Sequence, residues 1–241
     1  MEITAALDRI RSAIAMARPA SKIQALGEEG SVNTLLIREG RSAVKVEVNP
    51  VLRETLYPAE EREVLPAVEA AFGYARMPIL SLRELFAGKL VAALDRQHPR
   101  DLFDVKLLLD NEGLDKLLVR AFLVYLVSHD RPIAEVLAPT LKDIRATFAA
   151  EFSGMTNVPV TVKDLEHARE RLIQALHGAL GEPEKAFLLS VKRKAPRFDL
   201  IGMPQAAELP AVRWKLLNLE KMAPARHAAA LANLERVLAK I

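Results

Sequence analysis

The sequence predicts an α+β protein, mostly helical, in which a small β-containing N-terminal portion is followed by a helical bundle. Residues 32–38 and 42–48 are rich in β-branched side chains and alternate, with Glu39-Gly40-Arg41 between them, the pattern of a hairpin closed by a glycine turn. From Ser81 onwards apolar residues recur at helical spacing almost to the C-terminus. The 241 residues are 51% hydrophobic and 27% charged. That is an ordinary globular composition, with enough apolar material for one large domain or two small ones.

The elements follow in order. Residues 3–17 carry Ile3, Leu7, Ile10, Ile14 and Met16 on or near one side, which predicts an amphipathic helix. The two hairpin strands come next, and Pro50 is expected to end the second. Residues 51–78 read as a mixed connection broken by Pro58, Pro66 and Pro78, with room for a helical stretch between the first two prolines. Helices are then predicted over 81–97, 99–110, 113–128, 132–138, 140–150, 161–179 and 182–192. Ser81 and Glu84 have capping-box spacing at the first of these. Gly154 and Pro159 mark a loop, and 197–210, with Gly202, Pro204 and Pro210, is an irregular link. Helices over about 211–221 and 224–240 finish the chain. The division expected is 1–110 and 111–241.

Several function classes are excluded. No stretch approaches the ~20 apolar residues of a membrane span, and the start lacks the basic region and cleavage site of a secretory signal. The chain has no cysteine, which removes disulfides and thiolate metal sites and suits the cytoplasm. Its five histidines form no HExxH and no pair at metal spacing. Neither GxxxxGK[ST] nor GxGxxG is present. From Lys185 to Ile241 there are eleven Lys and Arg against four Asp and Glu, a net +7, whereas the preceding residues carry 23 basic and 27 acidic groups, a net −4. A basic tail on a mildly acidic body suits a polyanion, and Lys192, Arg193, Lys194 and Arg197 cluster there beside Phe198 as candidate RNA contacts. The plain alternative is that these charges solvate helix faces. Trp214, the single tryptophan, is expected to be a core or helix-packing residue.

The most informative stretch is Ile79–Leu109. At about 100° per residue, Leu85, Phe86, Lys89 and Ala93 fall on one side of its first helix, with Lys89 near the centre of the stripe. An ammonium there needs a carboxylate or phosphate nearby, or must snorkel to water. Asp101 lies just after Pro99, where a carboxylate caps a helix start. Asp104 is one turn on and is placed to pair with Lys89 across the helix-turn-helix, giving a phosphate clamp joined to an acid/base or orienting group. On the second hairpin strand, Lys45 and Glu47 share one face, opposite Val44, Val46 and Val48. This reads either as the solvated face of a sheet or as a carboxylate that helps to hold a divalent ion.

These pieces in this order resemble the AbiEii/AbiGii toxin family of type IV toxin–antitoxin and phage-defence systems. The resemblance is carried by VKVEVNP at 44–50, LRELFAGKLVAALDRQHPRDLFDVKLLL at 82–109, FSGM at 152–155, FLLSVKRKAPRFDL at 187–200 and LPAVRWKLLNLEKM at 209–222. It implies a polymerase-β-like nucleotidyltransferase sheet with an appended helical bundle. The implied reaction transfers a nucleotide from an NTP, with Mg²⁺, to an RNA such as tRNA or to a protein. The strand carboxylate and metal ligand would be Glu47, the phosphate lysine Lys89 and the late aspartate Asp104. Lys45, Arg96, Arg100 and Asp101 would adjoin the substrate. The antitoxin is the implied genetic partner.

The sequence departs from that family in one respect. Members carry a Gly-Gly or Gly-Ser turn and then an Asp-x-Asp strand, whose two aspartates hold the metal ions. No Asp-x-Asp occurs here, and the nearest approach, Asp110-x-Glu112, follows a helix. The chain is expected to begin just after that motif, with a truncated sheet, impaired transfer and an open sheet edge that favours a homodimer. The alternative is a non-catalytic RNA- or protein-binding helical module.

Overall fold

A computed structural model of the chain describes residues 2–28, 31–48 and 54–241. It is α+β and mostly helical, as expected, and divides into two compact units, Met1–Leu52 and Arg53–Ile241.

In the first unit, helix α1 (Glu2–Ala17) precedes the antiparallel strands β1 (Lys22–Glu28), β2 (Ser31–Glu39) and β3 (Ser42–Glu47), which lie in the order β1-β2-β3. The predicted hairpin is β2–β3, with Leu36 opposite Lys45 and Thr34 opposite Glu47. Gly40 takes the left-handed φ of 58° that the turn requires. Strand β1 was not expected, because KIQALGE lacks β-branched alternation; it is stabilised by pairing with β2, across a bulge at Leu26/Gly27. Helix α1 packs on β2, where Leu7 and Leu35 are almost wholly buried. Pro50 lies outside the described residues.

In the second unit, strands β4 (Glu60–Glu63) and β5 (Arg76–Ile79) pair antiparallel around helix α2 (Pro66–Phe72). The sequence expectation put a helix between Pro58 and Pro66. Instead Pro66 opens the helix at its first turn, where a missing N–H costs nothing, and the stretch before it is strand. The bundle then runs through α3 (Leu82–Asp95), α4 (Pro99–Asn111), α5 (Lys116–Ser128), α6 (Ile133–Leu137), α7 (Arg145–Glu151), α8 (Val162–Ala179), α9 (Glu182–Lys192), α10 (Pro210–Glu220) and α11 (Pro224–Leu238). Two 3₁₀ turns, Phe198–Ile201 and Pro204–Glu208, form the link before α10. Residues 140–144, expected to be helical, precede α7 as loop. Among the described residues no helix is long and apolar enough to cross a membrane.

Helix α5 is the axis of the bundle. Phe122, Leu123 and Leu126 are fully buried, and α3, α6, α8, α9 and α10 pack against it. Its start is fixed by Asp115, which accepts from the Leu118 N–H at 2.7 Å and pairs with Arg83 at 2.8 Å. Desolvation raises the pKa of this carboxyl, but the Leu118 amide and the Arg83 guanidinium outweigh it and hold the pKa below its ordinary value. Asp115→Ala is expected to cost about 1 kcal/mol. Because the folded pKa is the lower one, the carboxylate's contribution is complete above the usual carboxylate range and fades as pH falls through and below it. Urea melts of wild type and variant at pH 7 and pH 3 check this: the gap between them narrows at pH 3.

Candidate active site and basic surface

The α3–α4 pair has a rigid base. Gln97, in the turn, is 2% exposed and holds a left-handed φ of 55°. Its side chain donates to the Thr140 carbonyl at 2.9 Å and accepts from the Lys142 N–H and from Arg169, each at 2.9 Å. Arg169, itself buried, donates also to the Lys142 carbonyl at 2.8 Å. The Lys142 ammonium reaches the last carbonyls of α3, those of Asp95 and Arg96, where a cation is favoured by the helix dipole. These contacts join the α3–α4 turn to residues 140–142 and to α8.

At the start of α3, Ser81 accepts from the Glu84 N–H, so the expected cap is half formed. Glu84 does not return the bond. It is 1% exposed, and its carboxylate accepts from Leu56 N at 2.9 Å, Tyr57 N at 3.4 Å and the Tyr125 hydroxyl at 3.1 Å.

The buried face of α3 is Ala87, Leu90, Val91, Ala93 and Leu94 with Glu84, so the expected apolar stripe centred on Lys89 is displaced around the helix. Leu82, Leu85 and Lys89 lie on the open side. There the Lys89 ammonium donates to the Asp104 carboxylate at 2.5 Å, with side chains 47% and 35% exposed. The pair is therefore poised at the surface and accessible to an anionic ligand. Nearer the turn a second bridge, Arg96 to Asp101 at 2.8 Å, joins the same two helices. Asp101 is not the N-cap. His98 is: its Nδ1 accepts from the Arg100 N–H, Pro99 is the first helical residue and Asp101 the third, within the first turn. One oxygen of Asp101 is buried without a protein partner, while Arg100 projects from the surface.

In the first unit, Lys45 and Glu47 pair at 2.7 Å on β3, each more than half exposed. Among the described residues no three His, Cys, Asp or Glu side chains lie close enough to hold a metal ion. With its one carboxylate already bound to a lysine, this surface does not by itself fit a resident divalent ion.

The basic tail cluster is divided. Arg193 pairs with Glu235 at 2.8 Å and Arg197 with Asp199 at 2.7 Å, which holds the Asp199 carboxyl below its usual range. Lys194 is exposed at a φ of 65°. Phe198 is buried against Phe187, 5.0 Å between ring centres, and so offers no stacking face. Lys192 turns inward and is only 7% exposed. Trp214, expected in the core or between helices, is 55% exposed. Glu84 was expected only as a capping-box partner, and neither Gln97 nor the burial of Arg169 was anticipated; the partners of all three are too distant in sequence for any spacing rule to reveal them.

A model of the AbiEii nucleotidyl transferase toxins of type IV toxin–antitoxin systems matches residues 2–216. No curated protein sequence gives a significant match. Among solved structures, MenT4, a nucleotidyltransferase toxin from Mycobacterium tuberculosis H37Rv, is similar with a TM-score of 0.52 and 19% identity, over 83% of this chain and 68% of that one. At that identity the likeness shows the fold. The family match, which includes the α3–α4 pair and most of the bundle, goes further: this chain belongs to the AbiEii family of nucleotidyl transferase toxins of type IV toxin–antitoxin systems.

Proposed function

We propose that the chain transfers a nucleotide from an NTP to an RNA acceptor of the tRNA type, with Lys89 as its phosphate-binding cation and Asp104 as the group that positions it. The observation that carries this is the Lys89–Asp104 pair at the accessible face of a braced helix pair. A lysine already held by a carboxylate spends little further entropy on meeting a triphosphate, and its charge offsets what develops on the leaving phosphates. Arg96 and Arg100 add positive charge near the turn, and Asp101 fixes Arg96. Glu47 and Lys45, on β3 of the first unit, are proposed separately as a metal-binding carboxylate and a substrate contact. Residues 1–110 serve the nucleotide and 111–241 the acceptor. Mg²⁺ is the proposed divalent ion. Since the described residues do not form a site for it, no step is assigned to it, and transfer by this chain alone is expected to be impaired. The antitoxin remains a genetic partner, the cytoplasm is the proposed location, and pairing across a free edge of the β1-β2-β3 sheet would give a homodimer.

The test is transfer of label from each of four α-³²P NTPs, with Mg²⁺, onto total tRNA and onto the protein itself. Label on RNA from one nucleotide, above a no-protein control, is the expected result. Label on the protein alone would replace the acceptor. Blank lanes throughout would overturn the enzymatic reading of this chain and favour the non-catalytic binding module.

A further inference from the structure

The α5–α6 segment and helices α9, α10 and α11 line an open pocket of about 200 Å³, in the part of the chain that the reading above gives to the acceptor. Its lining includes Lys192 from the end of α9, Lys215 and Trp214 from α10, and Arg226 from the first turn of α11. Among the described residues, Lys192 and Arg226 have no hydrogen-bonding or ion-pair partner on their charged groups, although Lys192 is more than nine-tenths buried. Lys215, equally buried, donates to the carbonyls of His129, Asp130 and Arg131, which fixes it but neutralises nothing. The one carboxylate in the lining, Asp130, has a side chain 81% exposed. The backbone of Lys192 is anchored too, its carbonyl accepting from His227 at 2.7 Å. Helix α11 starts at this rim with Ala223 as N-cap and no side-chain cap.

Three cations thus converge on a partly dry space with one outward-facing acid. Burial, with Arg226 adding to it, lowers the pKa of the Lys192 ammonium. Burial and then Lys192 push that of Lys215 down to about 8, with Asp130 opposing. An anion entering the cavity relieves both the repulsion and the lost hydration. The rest of the lining is mostly apolar. Trp214 stands half-exposed at the surface, with Leu219 and Met222 nearby. A phosphate seated on the cations places the adjoining base against the exposed indole.

We infer that this cavity binds a phosphate of an RNA strand through Lys192 and Arg226, with the adjoining base stacked on Trp214. It rests on the RNA acceptor of the reading above but, as a binding site, requires no chemistry at Lys89. The experiment therefore contains neither NTP nor Mg²⁺, and its outcome is independent of the transfer assay.

Because Trp214 is the only tryptophan of the chain, its emission reports on this cavity alone. The full chain is titrated with a five-residue oligoadenylate, with adenosine 5′-monophosphate, with adenosine and with inorganic phosphate, and calorimetry is run beside fluorescence. The oligonucleotide is expected to quench the emission and saturate. Adenosine and phosphate alone should bind at least tenfold more weakly, since each makes half of the contact. Arg226→Gln, on the surface, and Lys192→Met are each expected to weaken the oligonucleotide about tenfold and to flatten its salt dependence. Monophosphate binding as tightly as the strand would overturn the strand assignment in favour of a free nucleotide. Equal affinity for inorganic phosphate would overturn the stacked base. No saturable signal by either method, or unchanged affinity in Arg226→Gln, would overturn the site.

Discussion

Lys89→Ala is expected to lower nucleotide transfer to RNA at least hundredfold while leaving the fold nearly as stable as before. The magnitude is that of removing one fixed charge from a developing anion, about 10²–10³ in rate. The stability claim follows from exposure. The Lys89–Asp104 pair lies at the surface, where such pairs contribute roughly 0–1 kcal/mol. The two readouts separate a catalytic role from a structural one. Lys89→Arg keeps the charge but changes the reach, and should retain part of the activity. Asp104→Asn leaves the lysine unguided, for which a loss of about tenfold is expected. Steady-state transfer rates and thermal melts on the same four proteins decide it. Full activity in Lys89→Ala would remove this lysine from the site; a rate that fell only in step with the melting temperature would make it structural.

Glu84→Ala is expected to destabilise the fold by about 3 kcal/mol, as much as truncating a core leucine of α3. The carboxylate is almost wholly buried and satisfies two backbone amides, of Leu56 and Tyr57, together with the Tyr125 hydroxyl. Alanine leaves these donors without their acceptor and opens a void, and the cost of breaking a buried charged network is about 3–5 kcal/mol. For a unit of this size the midpoint should fall by roughly 6–12 °C. Glu84→Gln, which keeps the volume and one acceptor oxygen, should fall between wild type and alanine. Tyr125→Phe removes the hydroxyl that donates to Glu84 and should cost about 1 kcal/mol. Calorimetric scans give the order directly. A Glu84→Ala protein that melts with wild type would show that the segment carrying Leu56 and Tyr57 is held by something other than this carboxylate.

The sequence was informative where the code is local. Helical periodicity located α3, α4, α5, α8 and α9 because an apolar stripe is repeated every turn. The spacing from Lys89 to Asp104 across a proline-marked turn was enough to anticipate their pairing. Strands β1, β4 and β5 were not legible. KIQALGE, EERE and RMPI have little β-branched alternation, and each depends on the strand that pairs with it. The tail is divided for a related reason. Four basic residues in six positions read as one patch, but helical rotation and a following turn sent Lys192 inward and gave Arg193 and Arg197 separate carboxylates.

By itself, then, the sequence determined the class of fold, the order of most helices, the resemblance borne out by the family match and the residues that meet across the α3–α4 turn. Only the tertiary structure decided that Glu84 is the buried charge of α3, that Gln97 is clasped by Arg169, and that Trp214 and Lys192 face one cavity. The physical reason is that periodicity specifies which face of a helix seeks the core. A buried donor's acceptor, by contrast, is chosen by the angle and depth at which elements far apart in sequence pack. That choice is made by exclusion of water from the whole bundle, and no window of neighbouring residues contains it.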